Sequence, residues 1–456
     1  MKPTLFPELP EGAEPVASPE KGTPRLLRPN RRQVQMRPVD LESLLSDDHA
    51  ARVVWAFVER LDLSPLHAKV RAVEGHAGRP AIDPAILLAL WLFATLDGVG
   101  SAREIGRLCH EHDAYRWICG GVGVNYHALS DFRVADEAFL DQILTSSVAT
   151  LMDRDLVKLN RVAQDGVRVR ASAGAGSFRR KSSLEKCLEE ADAQVKTLKS
   201  ELDGDPGTST RRKQAAQLRA AEDRKRRVEE ALAQMPEIEA VRARNRKKAD
   251  PEGSNDDADD KKDAPRASTT DPEARVMKLA DNGFRPAYNG QFATDVESQV
   301  IVGVDATNEG TDARQLGPML EQIEARCGRH PDEVLVDGGF GTLQTVENMP
   351  AGCTLYAPLP PAKNKKRDPY QPLPTDSPAV AAWRVRMGTE AAKSIYKQRA
   401  ATAECVNALA RNRGLQQFYV RGRRKVRCVM LFFALAHNLL REHVLTRSEG
   451  TMVPAA

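Results

Sequence analysis

A heptad seam set between strand-like segments constrains this chain most. Leu184, Leu188, Ala191, Val195, Leu198 and Leu202 recur at alternating spacings of four and three, the a/d repeat of paired helices. Asp203-Gly-Asp-Pro-Gly207 breaks the repeat, and a weaker seam returns through Leu218, Ala221, Val228, Leu232 and Met235, so an antiparallel helical hairpin is expected. Upstream, Leu159–Ala171 alternates with period two, with Asp165, Val167 and Val169 on one face and Arg168 and Arg170 on the other. Downstream, Ala287–Val296 and Gln299–Ala306 read as paired strands with a turn near Glu297-Ser298. A helical hairpin between strands is an insertion into a sheet domain. Its limits fall near residues 176 and 272, the last part being the Asp-, Lys-, Ser- and Pro-rich linker Ala249–Pro272.

Later elements extend the sheet. Gln315–Ala325 is an amphipathic helix, Glu333–Val336 a short buried strand ending in Asp337-Gly338-Gly339, and Thr354–Pro358 another strand. A Pro- and Lys-rich loop, Pro360–Pro378, leads into a long helical stretch from Ala379 to Asn412. This order predicts an α/β domain with a mixed sheet over 158–425, and a final helix and tail over 426–456 that dock back on it. Residues 41–157 read as helical. Asp83-Pro84 caps Ala85–Leu96, Ser101-Ala-Arg-Glu104 is a capping box for a helix ending near Cys109, and Gly120-Gly121 stops a helix carrying Tyr115, Trp117 and Ile118. Ser130 begins a further helical segment. Short helices with a glycine-bearing turn fit a DNA-binding module of helix-turn-helix type, as they fit any small helical domain. Residues 1–40 lack hydrophobic period and read as a basic arm.

Composition excludes several classes. With 456 residues and 41% apolar side chains the chain is neither disordered throughout nor fibrous. The apolar runs Ile86–Leu96 and Val429–Leu440 are shorter than the ~18–20 residues that span a bilayer, and no signal peptide is expected at the N-terminus. Seven cysteines without CxxC spacing point to a reducing cytoplasm. The net charge of +4 conceals two basic regions: five arginines and no acid over 22–39, and 16 basic against 4 acidic residues over 358–427. Both suit a polyanionic partner, most simply nucleic acid.

Three acids stand out by position. Asp165 lies within a strand, and Asp337 ends a central strand ahead of two glycines, where ligands sit in open α/β sheets. At about 100° per residue, Glu404 lies about 80° from Tyr396 and near Ala400, Ala408 and Arg411, while Ile395, Thr402, Val406 and Leu409 fall on the opposite face. Three carboxylates in one cleft raise one another's pKa unless a divalent cation offsets them. Oxygen-only donors favour Mg²⁺ or Mn²⁺, and two such ions make an in-line phosphodiester displacement site.

The chain resembles a DDE transposase of a bacterial insertion sequence. The resemblance runs over about residues 40–445, in the segments GRPAIDPAILLALWLFATLDGVGSAREIG, QDGVRVRA, TDPEARVMK, AYNGQFATDV, VLVDGGFG and IYKQRAATAECVNALARNRG. It implies an RNase H-like catalytic fold that cleaves element ends and transfers strands into target DNA. It also implies a metal-binding triad of Asp165, Asp337 and Glu404 served by two Mg²⁺ or Mn²⁺ ions. Tyr396, Arg399, Glu404 and Arg411 match the family's tyrosine, arginine, glutamate and lysine signature, with arginine in place of lysine at 411 and the Arg399-to-Glu404 interval one residue longer than in some relatives. Tyr396, Arg399, Arg411 and the loop residues Lys363, Lys365, Lys366 and Arg367 are the candidate DNA contacts, with a homodimer or higher assembly on DNA near the nucleoid. Asp295, Asp305 and Asp312 compete for a place in the site. Cys109, His110, His112 and Cys119 match no zinc spacing. A nuclease of the same fold that never joins strands and a catalytically decayed DNA-binding protein remain open as alternatives.

Overall fold

The computed structural model describes residues 32, 40–73, 75, 79–203, 208–249, 264–360 and 367–451. The basic arm therefore lies outside the described residues except for Arg32 and Asp40, as do Lys363, Lys365, Lys366 and most of the linker after the hairpin.

Helices begin the chain: α1 (Ala50–Glu59), α2 (Ser64–His67), α3 (Pro84–Leu96), α4 (Ala102–Glu111), α5 (Asp113–Cys119), α6 (Tyr126–Ala135) and α7 (Glu137–Asp153). Their starts obey local chemistry. Asp83 accepts the Ala85 N–H at 2.8 Å with Pro84 in the first turn, and the Ser101 hydroxyl accepts from Glu104. Gly120 ends α5 in the left-handed conformation that costs a glycine least. Ser130 is not a helix start: it lies inside α6, which Asn125 caps through the Ala128 N–H.

The sheet is mixed. Its strands are β1 (Arg161–Arg170), β4 (Arg275–Lys278), β5 (Phe284–Asp295), β6 (Ile301–Thr307), β7 (Glu333–Leu335) and β8 (Thr354–Tyr356), while β2 (Phe178–Arg179) and β3 (Ala267–Ser268) pair separately beside the hairpin. β5 runs antiparallel to β1, and β4 and β6 divide its other edge. On the opposite edge of β1, β7 and then β8 run parallel to it. The hairpin α8 (Lys181–Asp203) and α9 (Thr208–Ala249) is inserted between β2 and β3. Leu184, Ala191, Val195, Ala221, Val228 and Met235 from the expected seams are buried in it, and Lys199–Glu222 and Lys225–Asp192 ion pairs join the helices.

The stretch expected as one helix from Ala379 to Asn412 is divided. Helices α10 (Leu316–Cys327) and α11 (Leu343–Glu347) flank β7, and then α12 (Pro378–Met387) ends at Gly388. Helix α13 (Glu390–Arg399) passes through a single π turn, Ala400–Glu404, into α14 (Cys405–Asn412). The last helix, α15 (Arg423–Thr451), is longer than the apolar run alone indicates. Over Arg423–Arg447 it has the length and composition to cross a membrane, yet its middle, Met430 to Ala436, is buried in the core. Asn438 donates to the Ile301 carbonyl and accepts from the Ile301 N–H, each at 2.8 Å, so the helix is bonded to β6. One hydrophobic cluster runs from α1 and α3 through β1 and β5 to α15, and a second fills the space between β7, β8 and α12.

Candidate active site

The paired residues of β1 and β7 share one offset: Arg161 opposes Glu333, Val162 opposes Val334, and Ala163 opposes Leu335. Two residues beyond the last pair come Asp165 and Asp337, and the charge of Asp337 acts on Asp165. Pairing stops between them, so both carboxylates stand at the carboxyl end of a parallel strand pair whose backbones lie ~4.8 Å apart where paired. Asp337 is fixed locally by accepting the Gly339 N–H at 2.8 Å.

Asp165 is the most constrained of the acids. Its side chain is 18% exposed. Oδ1 accepts the Gly166 N–H at 2.9 Å, and Oδ2 accepts from the Asn407 amide at 3.1 Å. Burial pushes its pKa up to about 6, and the charges of Asp337 and Asp312 add to that, against the lowering pull of Arg399 and the Gly166 N–H.

Glu404 comes to this place through the π turn. Bonding from i to i+5 widens the turn, so residues five apart take the relation that residues four apart have in an α-helix. Arg399 and Glu404 are therefore stacked neighbours, with Nη2 donating to Glu404 Oε1 at 2.8 Å and Nη1 lying 3.4 Å from Asp165 Oδ2. The five-residue interval from Arg399 to Glu404 spans this one π turn. Burial opposes the charge of Arg399, but Asp165, Tyr396, Glu404 and Asp337 outweigh it and hold the guanidinium above its usual pKa. Tyr396 is half-buried beside it, and burial raises its phenol.

A divalent cation would meet oxygen donors here. They are carboxylate oxygens, which suit a hard ion, and a cationic guanidinium already bridges two of them. Among the described residues, no three acids, histidines or cysteines stand together closely enough to enclose an ion as placed. The donor chemistry fits Mg²⁺ or Mn²⁺, while Glu404 is directed at Arg399.

The remaining candidates divide. Arg411 is exposed on α14, and Arg367 donates to the Gln371 carbonyl. Asp295 is buried in its own turn, accepting from the Ser298 N–H and hydroxyl, and Asp305 accepts the Ala306 N–H and lies 3.6 Å from Arg427. Asp312 accepts from the amides of Asn289 and Gln291, each at 2.7 Å. Sequence reasoning passed over this amide layer and Asn407. Both had a signal: Asn289 and Gln291 alternate within the otherwise uncharged Ala287–Ala293 segment of β5, and Asn407 falls about 20° from Tyr396 on the helix.

Two protein families match the chain. The transposase domain family DUF772 matches residues 39–135, the helical region through α6, and the transposase DDE domain family matches 362–443, which includes Tyr396, Arg399, Glu404 and Arg411. Asp165 and Asp337 lie between the two matches. Comparison with curated proteins and with solved structures found no match.

Proposed function

We propose that this chain, a DDE-type transposase of an insertion sequence by its two family matches, cuts DNA at the ends of its element and joins the freed ends to target DNA in one cleft. The observation that carries the reading is the β1–β7 pairing that ends two residues before Asp165 and Asp337, with the charge of Asp337 acting on Asp165 and Glu404 tied to Asp165 through Arg399. A sheet in which β6, β5 and β1 are antiparallel neighbours and β7 and β8 continue in parallel supports an RNase H-like catalytic fold.

In this reading Asp165, Asp337 and Glu404 would hold two Mg²⁺ or Mn²⁺ ions. Such ions, when bound, activate the attacking oxygen and stabilise the leaving oxygen of an in-line displacement. The chain's own groups prepare that chemistry. Asn407 donates to Asp165 Oδ2 and fixes the orientation of the carboxylate. Arg399 offsets the negative charge of Asp165 and Glu404, while Arg411, exposed about two turns beyond Glu404, is placed for a phosphate of the bound strand. Water attacks first at the element end; the 3′-hydroxyl that this frees then attacks the target, so no covalent protein–DNA intermediate is needed. Joining two ends calls for a dimer or larger assembly on DNA in the bacterial cytoplasm.

The experiment supplies purified protein with its element ends, Mn²⁺ or Mg²⁺ and a supercoiled plasmid. Wild type is compared with Asp165→Asn, Asp337→Asn and Glu404→Gln. Metal-dependent cleavage and joining, lost in all three variants, is the expected result. Cleavage without joining would favour a nuclease, and end binding without cleavage in wild type would sink the catalytic reading.

A further inference from the structure

We infer that Arg133 and Arg413 form a second anion site, which takes one phosphate group of a DNA strand running past the Asp165 cleft; the choice of DNA as its source rests on the function proposed above. The two arginines face a cavity of about 40 Å³ bounded by Trp91, Phe418, Tyr419 and Phe432. Arg133 is 5% exposed. Its Nη1 donates to the Gly100 carbonyl at 2.7 Å, and its guanidinium lies 4.5 Å from the centre of the Trp91 ring. Its Nε–H is buried with no hydrogen-bond partner, and so is Nη1 of Arg413.

Arg133 is informative because, among the described residues, the two other buried arginines are paired. Arg326 meets Asp141 at 2.5 Å and Arg384 meets Asp376 at 2.7 Å. Among the described residues no carboxylate pairs with Arg133 or Arg413. Leaving two guanidinium groups partly desolvated without a counter-ion is costly, and burial lowers the pKa of both. Guanidinium groups only donate, so the missing partner is an acceptor, and their charge makes it an anion.

Size narrows the class. Pockets for drug-sized ligands occupy ~300–1,000 Å³, so this space is too small for such a ligand and leaves room only for a small group such as a phosphate. Position points to DNA. Arg413 comes nine residues after Glu404, about 13 Å along the helix at ~1.5 Å per residue, within a few nucleotides of the cleft. Tyr419, 59% exposed at the cavity, offers a ring on which the adjoining base can stack. The wall is closely built. Gly98 and Gly414 both have positive φ, and a Cβ on Gly414 would lie 2.6 Å from the Gly98 carbonyl oxygen, so the turn after α3, whose Gly100 carbonyl accepts from Arg133, abuts the end of α14 that carries Arg413.

The test uses the full chain, with Arg413→Gln and Arg133→Gln beside wild type. Binding of an element-end duplex is measured by fluorescence anisotropy at several salt concentrations without divalent metal. Each variant is expected to weaken binding about 3- to 10-fold at low salt and to reduce the slope of log K against log salt by about 0.9, one phosphate contact. In parallel, free inorganic phosphate is expected to raise the Tm of wild type and not that of Arg413→Gln. An unchanged slope with a retained phosphate effect on Tm would overturn the assignment to DNA and leave a free-anion site. No response in either measurement would overturn the site. If Arg133→Gln does not fold, Arg413→Gln carries the test, since its side chain is only partly buried. Wild type that fails to bind any element end would instead count against the proposed function, whatever phosphate does to Tm.

Discussion

At the scale of single residues, Gly166 shows how closely Asp165 is backed by polar groups. A Cβ there would lie 2.5 Å from Asp312 Oδ1 and 2.7 Å from both Asn289 Oδ1 and Gln291 Nε2. Those atoms belong to a hydrogen-bonded layer that also includes Gln164, which donates to Gln291 Oε1 at 3.0 Å, so they cannot swing away freely. Gly166→Ala is therefore expected to cost about 1–3 kcal/mol and to lower cleavage activity by displacing β1 beside Asp165, as read by denaturant melts and an end-cleavage assay. His437 supplies a prediction in pH. Its Nε2–H donates to the Gln299 carbonyl at 2.8 Å, and burial lowers its pKa to about 4. The folded protein thus disfavours the proton that the unfolded chain takes up near pH 6.5. The stabilisation is complete above pH 6.5 and is lost as the pH falls towards 4, with a maximum of about 3 kcal/mol. Wild type should lose Tm across that window and His437→Gln should lose less; parallel profiles would contradict the assignment.

At the scale of elements, the π turn is the device that joins sequence to site. It lets an extra residue enter the helix while Arg399 and Glu404 remain neighbours. Deleting the exposed Ala401 should close the turn into a regular α-helix and leave the Arg399–Glu404 pair at the i,i+4 spacing. The expected outcome is a folded protein with Tm equal to or above that of wild type and with DNA-end binding retained. A fall in Tm of more than a few degrees would mean that the wide turn is itself required for packing. The uniform helix arithmetic took a constant rotation per residue through Ala400–Glu404, and its faces still agree with the structure. Thr402 and Val406 are buried, Ile395 and Leu409 pack against the core, and Glu404 and Arg411 are exposed.

At the scale of the whole molecule, the helical region, the sheet and α15 share one core. Trp91 of α3 lies 6.1 Å from Phe432 of α15, and Asp141 of α7 binds Arg326 of α10 and Arg427 of α15. Unfolding of these parts is expected to be coupled. Trp55, Trp91 and Trp117 report on the helical region and Trp383 on the β8 side, so a Trp383→Phe variant isolates the first signal. Its thermal transition should coincide with the far-UV circular dichroism transition of the same protein, and two separated transitions would show that the regions fold independently.

Much of the architecture was legible in the chain because it rests on local periodicity. The hairpin seam, the alternation in β1, the strands β5 to β8, the caps at Asp83 and Ser101 and the stop at Gly120 each arise from residues a few positions apart. The positions of Asp165, Asp337 and Glu404 on a strand, at a strand end and on a helix were visible in the same way. Their relation to one another was not. The register between β1 and β7 joins residues 172 apart, the Arg399 bridge depends on a turn that departs from α geometry, and Asn407 meets Asp165 across 242 residues. The amide layer behind Gly166 and the unpaired arginines at 133 and 413 likewise arise from contacts between distant segments. Periodicity reports which face a residue takes within its own element, and only the packing of elements decides which charges are buried together and which are left without a partner.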